Sequence, residues 1–385
     1  MKVLFVINGY YAKGNGLSGS ARRTVRKLKE AGIDVRVLSG KNPNPYGPQP
    51  EYPLEDFHMP VFDKLIRKQG YGFSKTDKNI VEQAVAWADI VHIEEPFALQ
   101  ISTCSIAEKL GKTLTGTYHL HPENMYASIG LQKSHLLNDT TMRIWKKLVF
   151  DKCKIVQCPT ENVKERLVKW KFKSELRVIS NGLVMEDLLT KKDDDAARQL
   201  SDAKYRIITI GRYSNEKDSK TLLKAMNYSK HAHEVRLIFA GRGPQKPKLE
   251  RMAARLAKRG KLKYPPIFGF YSLQELQELS CTVDLYIHCA FIEVEGLSCM
   301  EAVQVGIVPI IAKGKYTATS QFALSEKSTF KERDPKDLAR KIDYWLDHDE
   351  ERKEEAKKYI GLGNKYNIDY SIKELIKMFN DALKK

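Results

Sequence analysis

The tightest constraint on the fold is a pattern that occurs twice. Near the start, Lys2-Val-Leu-Phe-Val-Ile7 is a short apolar run rich in β-branched residues. A Gly-rich stretch from Asn8 to Gly19 follows, then a helical segment that ends at Ala31-Gly32. At mid-chain, Arg206-Ile-Ile-Thr-Ile210 leads into Gly211-Arg212 and a helical segment over 219–228. A short run that is apolar throughout reads as a strand buried on both faces, and repeated strand–loop–helix units imply parallel sheets. Further strands are expected at 34–38, 89–93, 113–119, 155–158 and 176–179. A second series is expected at 235–240, 267–268, 285–287 and 308–311. Ser18 or Ser20 is the expected cap of the first helix. Residues 41–53, with five prolines, read as loop. The turn signal Asn181-Gly182 and the polar stretch 190–204 separate the two series. The expected fold class is α/β, with two Rossmann-like domains facing a central cleft. Their expected bounds are 1–185 and 186–365, and a C-terminal helix, 366–385, crosses back to the first.

Several classes of protein are excluded. The longest apolar runs, Val3 to Ile7 and Val305 to Ala312, fall far short of the ~20 residues that span a bilayer. The N-terminus lacks the apolar core and cleavage site of a signal peptide. Six cysteines without a C-x-x-C pair point to a reduced, cytoplasmic setting. A net charge of +17 favours anionic partners: nucleic acid, anionic lipid or phosphorylated substrates. No basic-aromatic nucleic-acid module is present, so phosphorylated substrates and lipid surfaces lead. The excess is denser in residues 1–185, with 28 basic against 18 acidic residues.

Gly14-Asn-Gly16-Leu-Ser-Gly19 matches G-x-G-x-x-G, but its strand ends well before Gly14 and no acid closes the second strand, so a dinucleotide is not expected. A Gly-rich backbone entering a helix still makes an amide-lined anion site. Asp193-Asp-Asp195 sits in a polar linker, and the His119/His121 and His231/His233 pairs lack partners at zinc spacing; no metal site is expected. Arg212 and Lys217 share a loop that feeds a helix and can converge on one diphosphate. Glu293 and Glu301 flank a Gly that opens another helix. Carboxylates accept from vicinal sugar or ribose hydroxyls, and the helix start between them favours phosphate.

Glu293, seven residues and Glu301, together with Gly211-Arg212 … Lys217, resemble the GT-B retaining glycosyltransferases of family 4. Five further segments carry the resemblance along nearly the whole chain: Gly16 before Gly32-Ile-Asp-Val35, Thr117-Tyr-His119, Val178-Ile-Ser-Asn-Gly182, Ala240-Gly-Arg-Gly-Pro244 and Ile267-Phe-Gly-Phe270. Asp218 departs from the family's Gly, and Val294-Glu295 from its Gly-Phe. The resemblance implies a hexosyltransferase using a UDP-sugar and no metal or other cofactor. It implies that Arg212 and Lys217 neutralise the leaving diphosphate, and that Glu301 binds the ribose. Glu293 would hold the sugar hydroxyls with the Gly296 and Leu297 amides. Gly16 and Gly241 would let backbone approach the donor, Phe268 would contact the base, and His119 the sugar near its reacting carbon.

For the acceptor, residues 61–78 interleave Leu65, Ile66 and aromatic residues with Lys64, Arg67 and Lys68, a composition suited to an anionic membrane surface. The segments His119-Leu-His-Pro-Glu-Asn124 and Ser320-Gln-Phe-Ala323 are similar to bacterial members that glycosylate lipids such as diacylglycerol. The expected protein is therefore cytoplasmic and peripheral to the inner face of the cell membrane. Alternatives are assembly of capsule or cell-wall polysaccharide on a sugar or polyprenyl-linked acceptor, and a GT-B-fold UDP-sugar epimerase.

Overall fold

The computed structural model describes all residues except 13–14, 59–62, 64–66, 68–71, 128 and 185–202. The chain divides into two units, Met1–Gly182 with Ile368–Lys385, and Leu183–Asn367. Both are α/β units built on a parallel sheet.

In the first unit seven parallel strands lie in the order Tyr52–Leu54, Asp34–Gly40, Lys2–Val6, Ile90–Ile93, Thr113–Thr117, Ile155–Cys158, Glu175–Val178. Val3, Leu4, Phe5 and Val6 are fully buried, because helices cover both faces of the central strand. The first helix spans Gly16–Glu30, and its cap is Asn15, whose side chain accepts from the Leu17 amide at 3.0 Å. This corrects the expected serine cap. Ser18 and Ser20 are buried inside the helix, and the Ser18 hydroxyl donates to the Gly9 carbonyl at 2.6 Å. A second correction is the strand Tyr52–Leu54, within and just past the proline-rich stretch. It lies at the sheet edge, where Pro53 needs no ladder donor.

The tail helix, Ile368–Lys384, belongs to this first unit. It buries Ile368, Leu375, Met378 and Phe379, and the Phe379 ring lies 5.3 Å from His92. Arg177 holds Asp381 at 2.7 Å, and Lys27 holds Asp369 at 3.1 Å. Gly182 (φ +72°) makes the departure from this unit possible, since a Cβ there would fall 2.6 Å from the Ile368 Cα.

In the second unit six parallel strands run Ile267–Gly269, Val235–Ala240, Tyr205–Ile210, Leu285–His288, Val308–Lys313, Thr329–Lys331. Their core gathers Ile207, Phe239, Tyr286, Ile310 and Trp345. In each sheet the strand order reverses once: beside Lys2–Val6 in the first, and beside Tyr205–Ile210 in the second. Crossovers leave these strands in opposite directions, so a crevice opens at their carboxyl ends.

The tail helix should be indispensable to the first unit. Phe379→Ala removes a fully buried ring and should cost about 3–5 kcal/mol, read as a drop in the urea midpoint. Asp381→Ala, at a half-exposed pair, should cost under about 1 kcal/mol. A Phe379→Ala variant as stable as the parent would show that the helix merely decorates the unit.

Candidate active site

The reversal point of the second sheet collects the charged residues singled out in the sequence. The strand Tyr205–Ile210 ends in a loop, Gly211 to Asp218, that carries Arg212 and Lys217 into the helix Ser219–Ala225. The neighbouring strand, Leu285–His288, ends in His288 and continues to Glu293. The Lys217 ammonium binds Glu293, and the same carboxylate oxygen lies 3.5 Å from His288 Nε2. His288 is buried, with Nδ1 2.8 Å from the Tyr286 hydroxyl and Nε2 3.4 Å from Thr319 Oγ1. The Tyr286 hydroxyl in turn meets Ser298 at 3.1 Å. Burial alone would raise the Glu293 pKa, but the Lys217 charge and His288 hold it well below the usual carboxylate range. Burial pushes the His288 imidazole down, so it is neutral near pH 7. Burial raises the Tyr286 phenol, and Glu301 stands on the helix Leu297–Gln304.

Backbone shape here is set by glycines. A Cβ on Gly241 would lie 1.9 Å from the Gly211 carbonyl, so the two loops could not pass. Gly296 (φ +92°) opens the helix Leu297–Gln304 and packs on Thr319. No side chain caps that helix, and in its first turn the Cys299 amide bonds the Gly296 carbonyl at 2.9 Å. Asp218 adopts φ +48°, a left-handed conformation that glycine takes freely and aspartate tolerates. That is the physical reason an Asp can replace the family's Gly. Arg212 lies 3.0 Å from Glu216, a buried carboxylate. Phe268 stacks on Phe239 at 4.8 Å and meets the edge of Tyr213, so it is half-committed to the core. The exposed neighbour Phe270, with the Arg242 guanidinium 4.6 Å above its ring, is the freer aromatic.

The reversal point of the first sheet holds a second cluster. His119 Nε2 lies 2.8 Å from Glu94, whose other oxygen meets His92 Nε2 at 3.1 Å. His92 is fixed by Thr115 at 2.9 Å and Thr117 at 3.0 Å. The two imidazoles outweigh the burial of Glu94 and bring its pKa down to about 2. Glu95, by contrast, is pushed up by burial although it accepts from the Asn8 amide at 2.8 Å and side chain at 2.9 Å. At Gly16 a Cβ would meet nothing within 4 Å, so the chain's own packing does not demand a glycine there.

Sequence reading missed Asn8, Glu94, Glu95, Tyr286 and His288. The available signal was two adjacent carboxylates closing an apolar strand. Of the acceptor segment, Lys64, Leu65, Ile66 and Lys68 lie outside the described residues, as do Gly14 and Asp193-Asp-Asp195. Arg67 is held by Asp63 at 2.8 Å and Asp56 at 3.0 Å, and Phe73 packs edge-on against Phe97. Among the described residues no group of three or more His, Cys, Asp or Glu converges as a metal would need.

Two family models cover most of the chain: "Glycosyltransferase Family 4" over residues 14–187 and "Glycosyl transferases group 1" over residues 190–360. The chain is similar to alpha-monoglucosyldiacylglycerol synthase of Streptococcus pneumoniae, with 26% identity over 82% of this chain and 71% of that protein. Sucrose-phosphate synthase from Thermosynechococcus elongatus matches the fold at a TM-score of 0.79, with 14% identity over 99% of this chain and 98% of that one. The catalytic domain of cholesterol-alpha-glucosyltransferase from Helicobacter pylori is 39% identical over 42% of this chain and 99% of its own, at a TM-score of 0.38.

The Glu94 environment predicts a pH-dependent stability. A carboxyl whose folded pKa is depressed adds stability above its unfolded value near 4.5, and loses it as pH falls toward about 2. Glu94→Gln should therefore cost on the order of 3 kcal/mol at pH 6, and the gap to the parent should close between pH 4.5 and 2. Urea titrations across that range measure it; a pH-independent gap would mean the carboxylate charge contributes nothing.

Proposed function

We propose, for a chain that belongs to the group 1 glycosyltransferases with a family 4 amino-terminal domain on the GT-B fold, transfer of a hexose from a UDP-sugar to a membrane lipid. The donor sugar is glucose, the acceptor a lipid such as diacylglycerol, and the anomeric configuration is retained. The observation that carries the reading is the Lys217–Glu293–His288 cluster at the reversal point of the second sheet, with Arg212 on the same loop. The lipid acceptor is supported by the likeness to a glucosyldiacylglycerol synthase over most of the chain.

The chemistry follows from charge. Departure of UDP leaves a diphosphate whose negative charge grows in the transition state, and fixed cations at that position lower the barrier. Arg212 and Lys217 supply them, so no metal is needed. Both now sit against carboxylates, and an arriving diphosphate would take Lys217 from Glu293. The freed carboxylate, oriented by His288, then accepts from sugar hydroxyls. Glu301, further along the helix that Gly296 opens, takes the ribose hydroxyls. For the first unit, the resemblance gives His119, its ring held by Glu94, a part in sugar binding. A retaining transfer on one face lets a leaving phosphate oxygen accept the acceptor's proton, so positioning carries the catalysis. Among the described residues no helix is long and apolar enough to cross a membrane. The enzyme would work in the cytoplasm, from the inner surface of the bilayer.

Three measurements test this. Arg212→Ala and Lys217→Ala should each reduce kcat by about 10² or more, about 3 kcal/mol of lost stabilisation, with activity unchanged in EDTA. A reversible loss on chelation would overturn the metal-free reading. Glu301→Gln should weaken UDP binding in calorimetry. Glu293→Gln should hold or raise UDP affinity, because it releases Lys217, while turnover falls; equal losses would dissolve the division of roles. A screen of UDP- and GDP-sugars against lipids and free sugars, read by product mass, decides the acceptor. Products on soluble sugars alone would turn the reading to polysaccharide assembly.

A further inference from the structure

The chain leaves the strand Thr113–Thr117, passes His119, and enters the helices Pro122–Ala127 and His135–Leu148. Among the described residues fifteen large apolar side chains stand exposed, and five of them fall in this short stretch: Met125, Ile129, Leu131, Leu136 and Ile144. Leu136 is 76% exposed. They are not waiting for a core, because the inner side of these helices is already filled. Met142 and Trp145 are buried, and Trp145 packs edge-on against Phe97 at 6.0 Å. The Tyr126 hydroxyl bonds Thr141 at 2.8 Å, and Arg166 grips Glu123 with two contacts at 2.7 and 2.8 Å. On the outer side Leu136, Thr140, Arg143, Ile144 and Lys147 recur at helical spacing, so they form one exposed stripe.

The charges around this patch have one sign. Residues 129–148 carry Lys133, Arg143, Lys146 and Lys147 against the single acid Asp139. Lys146 is tied to Asp151, while Lys133, Arg143 and Lys147 have no carboxylate partner among the described residues. Apolar side chains at the centre with cations at the rim match the boundary between acyl chains and anionic head groups. A second copy fits poorly, since a two-fold contact would press these cations against themselves. Nucleic acid fits poorly too, since Leu136 and Ile144 offer nothing to phosphate.

We infer that the outer face of residues 129–148 is where the first unit settles on an anionic lipid bilayer. Leu131, Leu136 and Ile144 enter the acyl boundary, and Lys133, Arg143 and Lys147 meet the head groups. The choice of a bilayer as occupant rests on the lipid-acceptor reading above. The face is distinct from residues 61–78, of which Arg67 is engaged by two carboxylates and Phe73 by Phe97, while Lys64, Leu65, Ile66 and Lys68 lie outside the described residues.

The test is co-sedimentation of the full chain with vesicles, without donor or acceptor. Binding to phosphatidylglycerol vesicles should be tenfold or more above phosphatidylcholine. It should fall at least tenfold between 0.1 M and 1 M salt, as the Debye length drops from ~10 Å to ~3 Å. The double variant Leu136→Glu with Ile144→Glu changes only exposed positions and should lose tenfold or more, with UDP affinity unchanged. The control reverses Lys248, Arg251 and Arg255 to Glu. These lie exposed on the basic helix Lys246–Lys258, which presents no large exposed apolar side chain. The control should stay within about threefold of the parent. The inference is overturned if the double variant sediments like the parent, or if the control is released as fully. It is also overturned if the substitutions instead abolish a dimer in ultracentrifugation or an RNA complex in a gel shift. Vesicle binding by the parent that the double variant loses, with no transfer to any detergent-dispersed lipid, would uphold the surface and refute the lipid acceptor.

Discussion

In each of the two parallel sheets the strand order reverses once, and the buried carboxylate clusters of the described residues lie at these reversals. There the loops leaving neighbouring strands diverge, and the carboxyl ends of the strands stay uncovered. In the second sheet this brings Lys217 and Arg212 from one strand to His288 and Glu293 from the next. In the first it brings Asn8 beside Glu94, Glu95 and, from one strand further, His119. Residues far apart in the chain become neighbours because hydrogen-bond register leaves them no alternative.

Both clusters solve the same electrostatic problem. A carboxylate removed from water is costly unless a cation or a donor compensates it. Glu293 is compensated by Lys217 and His288, Glu94 by His92 and His119, and both are held in the charged form. The partners differ in kind. Glu94 is gripped between two imidazoles, one of them fully buried and tied to two threonines, which suits a fixed anchor. Glu293 is held by the Lys217 ammonium, on a longer side chain that is not fully buried.

Surface charge follows a different rule from site charge. The basic helix Lys246–Lys258 and the face of His135–Leu148 both add to the net charge of +17. Only the second combines cations with exposed apolar side chains. Charge alone gives long-range attraction that salt removes, whereas apolar insertion adds a short-range term that salt leaves in place.

The sequence by itself determined the architecture and which charged residues stand at the strand ends of the second sheet. Apolar runs such as Val3–Ile7 and Ile207–Ile210, short, rich in β-branched residues and bounded by Gly, read as strands covered on both faces, and their alternation with helices points to parallel sheets. The places of Arg212, Lys217, Glu293 and Glu301 at strand ends and on a helix opened by Gly were legible because that spacing is local. Local capping was less secure: Asn15 displaced the expected serines because the helix begins earlier and buries them. Only the tertiary structure decided which partners these groups take. Nothing local relates Lys217 to Glu293 or His119 to Glu94, since each contact joins residues from different strands, whereas His288 and Tyr286 share one face of a single strand. The same holds for Leu136 and Ile144. Their periodicity fits a core helix as well as a surface one, and only the filling of the inner side by Met142 and Trp145 turns them outward.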